Sequence, residues 1–155
     1  MKRLAIGGST GSIGQSTLRV VEHLQDHFQV FALAVNRSVE LLAEQVAAFH
    51  PAVVAIADGS RVSAFRDECR KRGIALPEIV TGDEGLCRIT SAAEVDIVVA
   101  AAVGAAGLRP TYQAVASGKT VALANKEAMV VAGELLRRTA RKSGACIIPV
   151  DSEHS

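Results

Sequence analysis

Three evenly spaced glycines lie near the amino terminus, in the segment Gly7-Gly8-Ser9-Thr10-Gly11-Ser12-Ile13-Gly14. Gly8, Gly11 and Gly14 form a GxxGxxG pattern, a variant of the fingerprint that lets the backbone turn sharply, approach a pyrophosphate and pack a helix on a strand. A side chain at any of these glycines is expected to obstruct one of those demands. Hydroxyl groups that could donate to phosphates belong to Ser9, Thr10 and Ser12. The pattern predicts a dinucleotide-binding loop, and the alternative is a tight turn that binds nothing.

The residues after the second predicted strand indicate which dinucleotide would bind. Sites for NAD usually place an Asp or Glu about 20 residues after the glycines, where it binds the ribose 2′-hydroxyl. Here the corresponding segment is Asn36-Arg37-Ser38, which contains no acid. Arg37 supplies a planar cation that suits a 2′-phosphate, with Asn36 and Ser38 as hydrogen-bond partners. The segment predicts NADPH; the alternative is an exposed loop arginine beside a serine that caps the next helix.

The segment Ala124-Asn125-Lys126-Glu127 stands where another predicted strand passes into a helix. Asn125 is a plausible N-cap, and the charge of Glu127 is favourable in the first helical turn. Helix formation does not explain Lys126, because a cation is unfavourable at the positive end of a helix dipole. An anionic ligand or an acidic partner would explain it.

Two carboxylates, Asp151 and Glu153, alternate directly after the last predicted strand. In an extended chain both would point to one face. Carboxylate oxygens suit a hard divalent cation, Mg²⁺ or Mn²⁺. Acidic residues at the start of a helix would give the same letters, so the pair alone leaves both interpretations open.

The elements that would position these segments alternate regularly along the chain. Strands are predicted over residues 4–7, 30–35, 53–57, 78–80, 96–101, 120–124 and 146–150. Helices are predicted over residues 12–25, 39–49, 61–71, 85–90, 108–116 and 126–143. Such alternation is typical of an α/β fold, a Rossmann-like, doubly wound, mostly parallel sheet with helices on both faces. The small residues between Val98 and Leu108 are assigned to the nicotinamide side of its cleft.

Composition limits the classes of partner. The chain has 155 residues, a net charge of +1, 49% hydrophobic and 3% aromatic residues, which fits one domain and disfavours nucleic acid or a membrane surface as a partner. Its apolar runs are too short for a secretory leader or a membrane helix. The cysteines Cys69, Cys87 and Cys146 form no metal or disulfide pattern, so a reduced, cytoplasmic protein is expected.

Four strings in the observed order resemble the 1-deoxy-D-xylulose 5-phosphate reductoisomerase family. They are GSTGSIG at 8–14, VGAAG at 103–107, LANKE at 123–127 and PVDSEH at 149–154. The resemblance covers essentially the whole chain. It implies that residues 1–150 form the family's NADPH-binding domain and that residues 151–155 begin its catalytic domain.

The resemblance also implies an activity, a set of ligands and a place in metabolism. A member of the family rearranges 1-deoxy-D-xylulose 5-phosphate and reduces the product with NADPH to 2-C-methyl-D-erythritol 4-phosphate, in the methylerythritol phosphate route to isoprenoids, as a homodimer. Lys126, Ser152 and Glu153 would contact this phosphorylated sugar substrate, with Lys126 and Glu153 catalytic, and Asp151 and Glu153 would bind Mg²⁺ or Mn²⁺. The implied NADPH contacts are Thr10, Gly11, Ser12, Ile13, Asn36, Arg37, Ser38, Asn125 and Glu127.

The resemblance further implies that another metal-binding Glu, a phosphate site, a lid and a helical domain follow the position that corresponds to Ser155. We therefore expect these 155 residues to bind NADPH without turning over the substrate. Two alternatives stay open at this point. One is another NADPH-dependent reductase, of semialdehyde dehydrogenase or dihydrodipicolinate reductase type; the other is a non-enzymatic nucleotide-sensing domain.

Overall fold

The computed structural model describes residues 1–102, 107–124 and 126–150, and only the backbone of Lys126. These residues are arranged around one parallel sheet. Within this part of the chain the sheet has seven strands. The strands are β1 (Lys2–Gly7), β2 (Phe28–Val35), β3 (Val53–Ile56), β4 (Glu78–Thr81), β5 (Ile97–Ala100), β6 (Thr120–Leu123) and β7 (Cys146–Pro149). Each pair of neighbours runs parallel, so the predicted fold class is confirmed.

Helices connect the successive strands. They are α1 (Ser12–His23), α2 (Val39–Phe49), α3 (Val62–Lys71), α4 (Gly82–Ser91), α5 (Leu108–Ala116) and α6 (Lys126–Ser143), with a 3₁₀ turn at Gly59–Arg61 before α3. The bounds of α2, α5 and α6 match the sequence prediction, although α6 is kinked at Ala132. The fourth helix begins earlier than expected, at Gly82, because Asp83 and Glu84 fall in its first turn, where negative charge is favourable.

The strand order is β4-β3-β2-β1-β5-β6-β7. The chain builds outward from β1 to β4, returns to the other side of β1 and builds outward again to β7. Because parallel crossovers are right-handed, the two halves place their helices on opposite faces of the sheet. The reversal lies between β1 and β5, where Gly7 pairs with Ala100. Ligands bind outside the carboxyl ends of strands at such a reversal, and the glycine-rich segment begins there.

Alternate residues of each strand fill two cores. Leu4 and Ile6 of β1 pack on the face covered by α1, α2 and α3, whereas Ala5 packs on the face covered by α4, α5 and α6. All three residues are 4% exposed or less. Burial on both faces explains why the strands are continuously apolar, and it fixes the edge that carries the site. No helix in the described ranges is long and apolar enough to cross a membrane.

Candidate nucleotide-binding site

The glycine-rich loop between β1 and α1 is held by backbone hydrogen bonds to its neighbours. The N–H groups of Gly8 and Ser9 both donate to the carbonyl oxygen of Ala34, at 2.9 and 3.1 Å, and the N–H of Gly11 donates to Gly8 at 3.1 Å. Ala34 lies in β2 beside Gly7. The loop is therefore anchored to the sheet before α1 begins.

Gly8 is required by its conformation and by a close approach. Its φ is +76°, in the left-handed region that favours glycine. A Cβ atom added there would stand 2.8 Å from the carbonyl oxygen of Ala101 and 2.9 Å from the nitrogen of Ala102. The chain leaving β5 thus passes directly against the loop, which closes one end of the site.

Gly14 is required by the packing of α1 on the loop. A Cβ atom at this position would stand 2.3 Å from the carbonyl oxygen of Gly8 and 2.5 Å from the Cα of Ser9. Both are backbone atoms that are held in place, so the helix could not keep its position. Gly14 therefore sets the direction in which α1 starts.

Gly11 differs from the other two glycines. Its φ of −78° and ψ of 177° suit any residue, and an added Cβ would meet only the Gly8 carbonyl oxygen, at an ordinary 3.5 Å. Packing of the loop therefore does not require a glycine at this position, and the expected need for close approach to a pyrophosphate stays a prediction. Gly11 lines an open cleft.

That cleft has a volume of about 290 Å³ and runs along the carboxyl edge of β1, β2 and β5. It joins the glycine loop to the turn after β2. Its lining residues are Gly8, Thr10, Gly11, Ala34, Val35, Asn36, Ser38, Ala57, Leu86, Ala101 and Ala102. The structure thereby brings four of the predicted NADPH contacts, Thr10, Gly11, Asn36 and Ser38, around one cavity.

The amino terminus of α1 is suited to an anion. The N–H groups of Ser12, Ile13 and Gly14 are the first three of the helix and have no acceptor within it. Gly11 occupies the N-cap position without a side-chain cap, and the first turn contains no acid. Nothing in the helix offsets its positive end, so a phosphate in the adjoining cleft would be stabilised. Ser12 and Ile13, two further predicted NADPH contacts, lie in this turn and do not line the cleft.

Ser9 does not face the cleft. It is fully buried, its Oγ donates to Oε1 of Gln45 at 2.8 Å, and Nε2 of Gln45 donates to its carbonyl oxygen at 2.9 Å. The expectation that the Ser9 hydroxyl serves a ligand is therefore wrong. The reciprocal pair connects the loop to α2, and no local sequence pattern indicates it.

We expect a Gln45→Leu substitution to lower the free energy of unfolding by about 2 kcal/mol, because it leaves a buried hydroxyl and a buried carbonyl without partners. Urea denaturation followed by circular dichroism measures this change. The control is Gln15→Leu, because the side-chain amide of Gln15 donates to the carbonyl oxygen of Thr10 at a half-buried position, and its loss should cost less than about 1 kcal/mol. Equal losses would contradict the anchoring role of Gln45.

Arg37 lies in the turn after β2, and the structure gives it a partner that sequence reasoning missed. One guanidinium nitrogen, Nη1, donates to Oδ2 of Asp58, which follows β3. The other carboxylate oxygen accepts from the hydroxyl and the N–H of Ser60, at 2.6 and 3.0 Å. These two hydrogen bonds, and the charge of Arg37, lower the pKa of Asp58, so the carboxylate is charged at neutral pH.

A second guanidinium group reaches the same turn. Nε of Arg61 donates to the carbonyl oxygen of Arg37 at 3.4 Å, and its Nη2 donates to Oε1 of Glu40 at 3.3 Å. Ser38 occupies the N-cap position of α2, but its side chain makes no capping hydrogen bond, so the capping alternative does not account for it. The parallel pairing of β2 with β3 is the signal that could have placed Asp58 and Arg61 beside Arg37.

The remaining predicted site residues lie mostly outside the described part of the chain. These are Asn125, the side chain of Lys126, the segment 103–106, and Asp151, Ser152 and Glu153. Glu127 is exposed in the first turn of α6. The residues before positions 125 and 151 do lie at the edge that carries the cleft, since Ala124 donates to Ala100 at 3.0 Å and Val150 donates to Leu123 at 2.9 Å.

The thiols are not placed for chemistry at this edge. Cys69 and Cys87 are buried in α3 and α4, and burial raises the pKa of both thiols. Cys146 is exposed at the first residue of β7, the end of the strand away from the cleft. Among the residues that the structure describes, no cluster of His, Cys, Asp and Glu could hold a metal ion.

Sequence comparison connects this chain to one family. The sequence model described as 1-deoxy-D-xylulose 5-phosphate reductoisomerase matches residues 4–133. The protein of that name from Thermodesulfovibrio yellowstonii is 49% identical over 155 residues, which is all of this chain and 39% of that protein. The chain thus spans about two fifths of the length of the curated relatives it matches.

Solved structures give the same result. A crystal structure of DOX-P reductoisomerase in complex with magnesium superposes with a TM-score of 0.93 at 42% identity, over 99% of this chain and 38% of that one. A second, in complex with NADPH, fosmidomycin and magnesium, has a TM-score of 0.91 at 42% identity, over 99% and 37%. The similarity therefore covers the entire sheet and its helices.

Proposed function

This chain belongs to the 1-deoxy-D-xylulose 5-phosphate reductoisomerase family, and from that premise we propose that residues 1–150 are its NADPH-binding domain. One observation carries the proposal. A single cleft joins a glycine without a packing role, the open amino terminus of α1 and the turn that holds Arg37. The cleft thus offers space for a diphosphate beside the positive end of α1, and its lining residues Asn36 and Ser38 are the chain neighbours of Arg37, which does not itself line the cleft.

The chain's own groups would hold the coenzyme at two places. The N–H groups of the first turn of α1, together with the hydroxyl of Thr10, would donate to the pyrophosphate. At the far end Arg37 would bind the 2′-phosphate, with Asn36 and Ser38 beside it. Gly11 leaves the clearance that the diphosphate needs. A solved relative at 42% identity is in complex with NADPH, which supports this assignment.

For the whole protein we extend the proposal to the reductoisomerase reaction. Bound NADPH would supply a hydride, and a bound divalent cation would supply positive charge at the substrate oxygens. The ligands from this chain would be the carboxylates of Asp151 and Glu153, while Lys126 would donate to the same oxygens. Ser152 and Glu153 would contact the phosphorylated sugar, Asn125 and Glu127 the coenzyme. Magnesium and fosmidomycin in a solved relative support these roles.

The alternative functions have less support. A semialdehyde dehydrogenase needs a nucleophilic cysteine, and nucleophilic cysteines have lowered pKa values. Burial has the opposite effect on Cys69 and Cys87, and Cys146 begins its strand at the wrong edge. The reductoisomerase family model matches residues 4–133, and this match favours neither a dihydrodipicolinate reductase nor a nucleotide sensor.

Partners and location form part of the same proposal. The protein would act on a small phosphorylated sugar as a homodimer, as the family resemblance implies, and would neither bind nucleic acid nor associate with a membrane. A cytoplasmic location is consistent with its unpaired cysteines, because thiols persist in a reducing compartment.

Titration with NADPH and NADH tests the coenzyme assignment. We expect the chain to bind NADPH more tightly, and Arg37→Ala to weaken NADPH about tenfold while changing NADH less than about twofold, since one charge-assisted contact to the 2′-phosphate is lost. Coenzyme fluorescence or calorimetry measures both dissociation constants.

The matched control is Arg70→Ala, which removes an exposed arginine of α3 that pairs with Asp67. Binding of both nucleotides should be unchanged in this variant. Equal affinity of the unaltered chain for NADPH and NADH would contradict the phosphate-binding role of Arg37, and binding of neither would contradict the proposed function.

A further inference from the structure

The turn after β3, residues 57–61, lies against the turn after β2 that contains Arg37. The N–H of Asp58 donates to the carbonyl oxygen of Asn36 at 3.1 Å, and Arg61 donates to the carbonyl oxygen of Arg37. The two turns therefore form one wall of the cleft, to which Ala57 and Asn36 both contribute.

Hydrogen bonds from Ser60 hold the Asp58 carboxylate in place independently of Arg37. Its Oδ1 accepts two hydrogen bonds from Ser60, in the 3₁₀ turn that follows, and its side chain is 24% exposed. The side chain of Arg37 is 61% exposed and has several rotatable bonds. Of these two groups the carboxylate is the rigid one, and it determines where the guanidinium lies.

One contact with Asp58 leaves most of the guanidinium available. Arginine carries five N–H donors in a planar fork, and a single nitrogen, Nη1, contacts Oδ2. An exposed arginine that binds a phosphate without such support must lose side-chain entropy on binding, whereas a preorganised one has already lost it.

We propose that Asp58 is a positioning residue that holds Arg37 in the orientation that selects a 2′-phosphorylated dinucleotide. The inference rests on the proposed function and extends it to a residue outside the coenzyme contacts. It competes with a simple electrostatic expectation, in which the negative Asp58 only repels the phosphate and thereby weakens NADPH binding. The two predict opposite changes when the charge is removed.

A double-mutant cycle on the chain of 155 residues separates them, with dissociation constants for NADPH and NADH as the measurement. Asp58→Asn should weaken NADPH about three- to fivefold, the size of a coupling between partly exposed charges, and leave NADH unchanged. In an Arg37→Ala background, Asp58→Asn should cause no further loss of NADPH affinity, because Asp58 acts through Arg37.

Two further variants secure the result. Ser60→Ala removes one hydrogen bond to the Asp58 carboxylate. It should lower the preference for NADPH over NADH, as Asp58→Asn does, but by a smaller factor. Asp67→Asn breaks the exposed ion pair with Arg70 and should leave the dissociation constants for NADPH and NADH unchanged. The Ser60 variant also decides the question if Asp58→Asn does not fold.

Tighter NADPH binding by Asp58→Asn, or a selectivity unchanged in both the Asp58 and the Ser60 variants, would overturn the positioning role. If Arg37→Ala still loses selectivity in that case, the proposed function stands and only the role of Asp58 is lost. If the unaltered chain does not prefer NADPH, both proposals fall together.

Discussion

Replacing Gly14 with alanine should lower the free energy of unfolding by about 3 kcal/mol, at the upper end of the cost of overpacking. The added Cβ would stand 2.3 Å from the carbonyl oxygen of Gly8, so either the loop or the whole of α1 must move. Movement of either would also displace the lining residues Gly8, Thr10 and Gly11, or the amino terminus of α1 beside them. We therefore expect NADPH binding to be lost together with stability, with a melting temperature lower by about 10 °C.

Thermal and urea unfolding measure the stability change, and Gly133→Ala is the matched control. Gly133 lies in α6, where an added Cβ would meet the ends of the flexible Arg137 and Met129 side chains, at 3.3 and 3.6 Å. Gly133 directly follows a kink at Ala132, which reduces the advantage of alanine as a helix former, so this variant should change the free energy of unfolding by less than about 1 kcal/mol. A Gly14→Ala protein as stable as the Gly133→Ala protein would show that the loop is free to adjust.

Replacing Gly11 with alanine should have the opposite pattern. The free energy of unfolding should change by less than about 0.5 kcal/mol, because the backbone conformation at Gly11 suits any residue and the added Cβ makes only an ordinary contact. The dissociation constant for NADPH should rise at least tenfold, about 1.4 kcal/mol, because the Cβ occupies the clearance that the diphosphate needs. Binding titration and urea unfolding of the same preparation measure both quantities.

The comparison of Gly11 with Gly14 is informative because both changes add one methyl group to the same loop. If Gly11→Ala retained full NADPH affinity, the diphosphate could not lie against this residue, and the coenzyme assignment of the loop would be wrong. If it lost stability as Gly14→Ala does, the loop would have a packing constraint at Gly11 that its geometry does not indicate.

Local sequence signals were sufficient for the elements and for the location of the cleft. The spacing of Gly8, Gly11 and Gly14 predicted a turn between β1 and α1, and that turn is present. Helix α2 was predicted with its observed bounds, since an apolar stripe begins at Val39 and Pro51 follows its end. Each of these signals lies within a few consecutive residues, where backbone preference and periodicity act.

Pairing between distant residues was decided only by the tertiary structure. Ser9 and Gln45 are 36 positions apart, and Arg37 and Asp58 are 21 positions apart. Their contacts depend on the register of β2 with its neighbours and on the face to which α2 returns. No local sequence pattern indicates that register. Sequence reasoning therefore predicted the Ser9 hydroxyl as a donor to a ligand and did not predict an acidic partner for Arg37.

The sequence by itself determined that strands and helices alternate and that a glycine-rich turn opens at the end of β1. It could do so because those properties arise from short-range sterics and from the burial period of each element. The tertiary structure decided which glycine is required by packing and which is not, and which acid pairs with Arg37. Those outcomes depend on atoms that meet only after the sheet has assembled in its order β4-β3-β2-β1-β5-β6-β7.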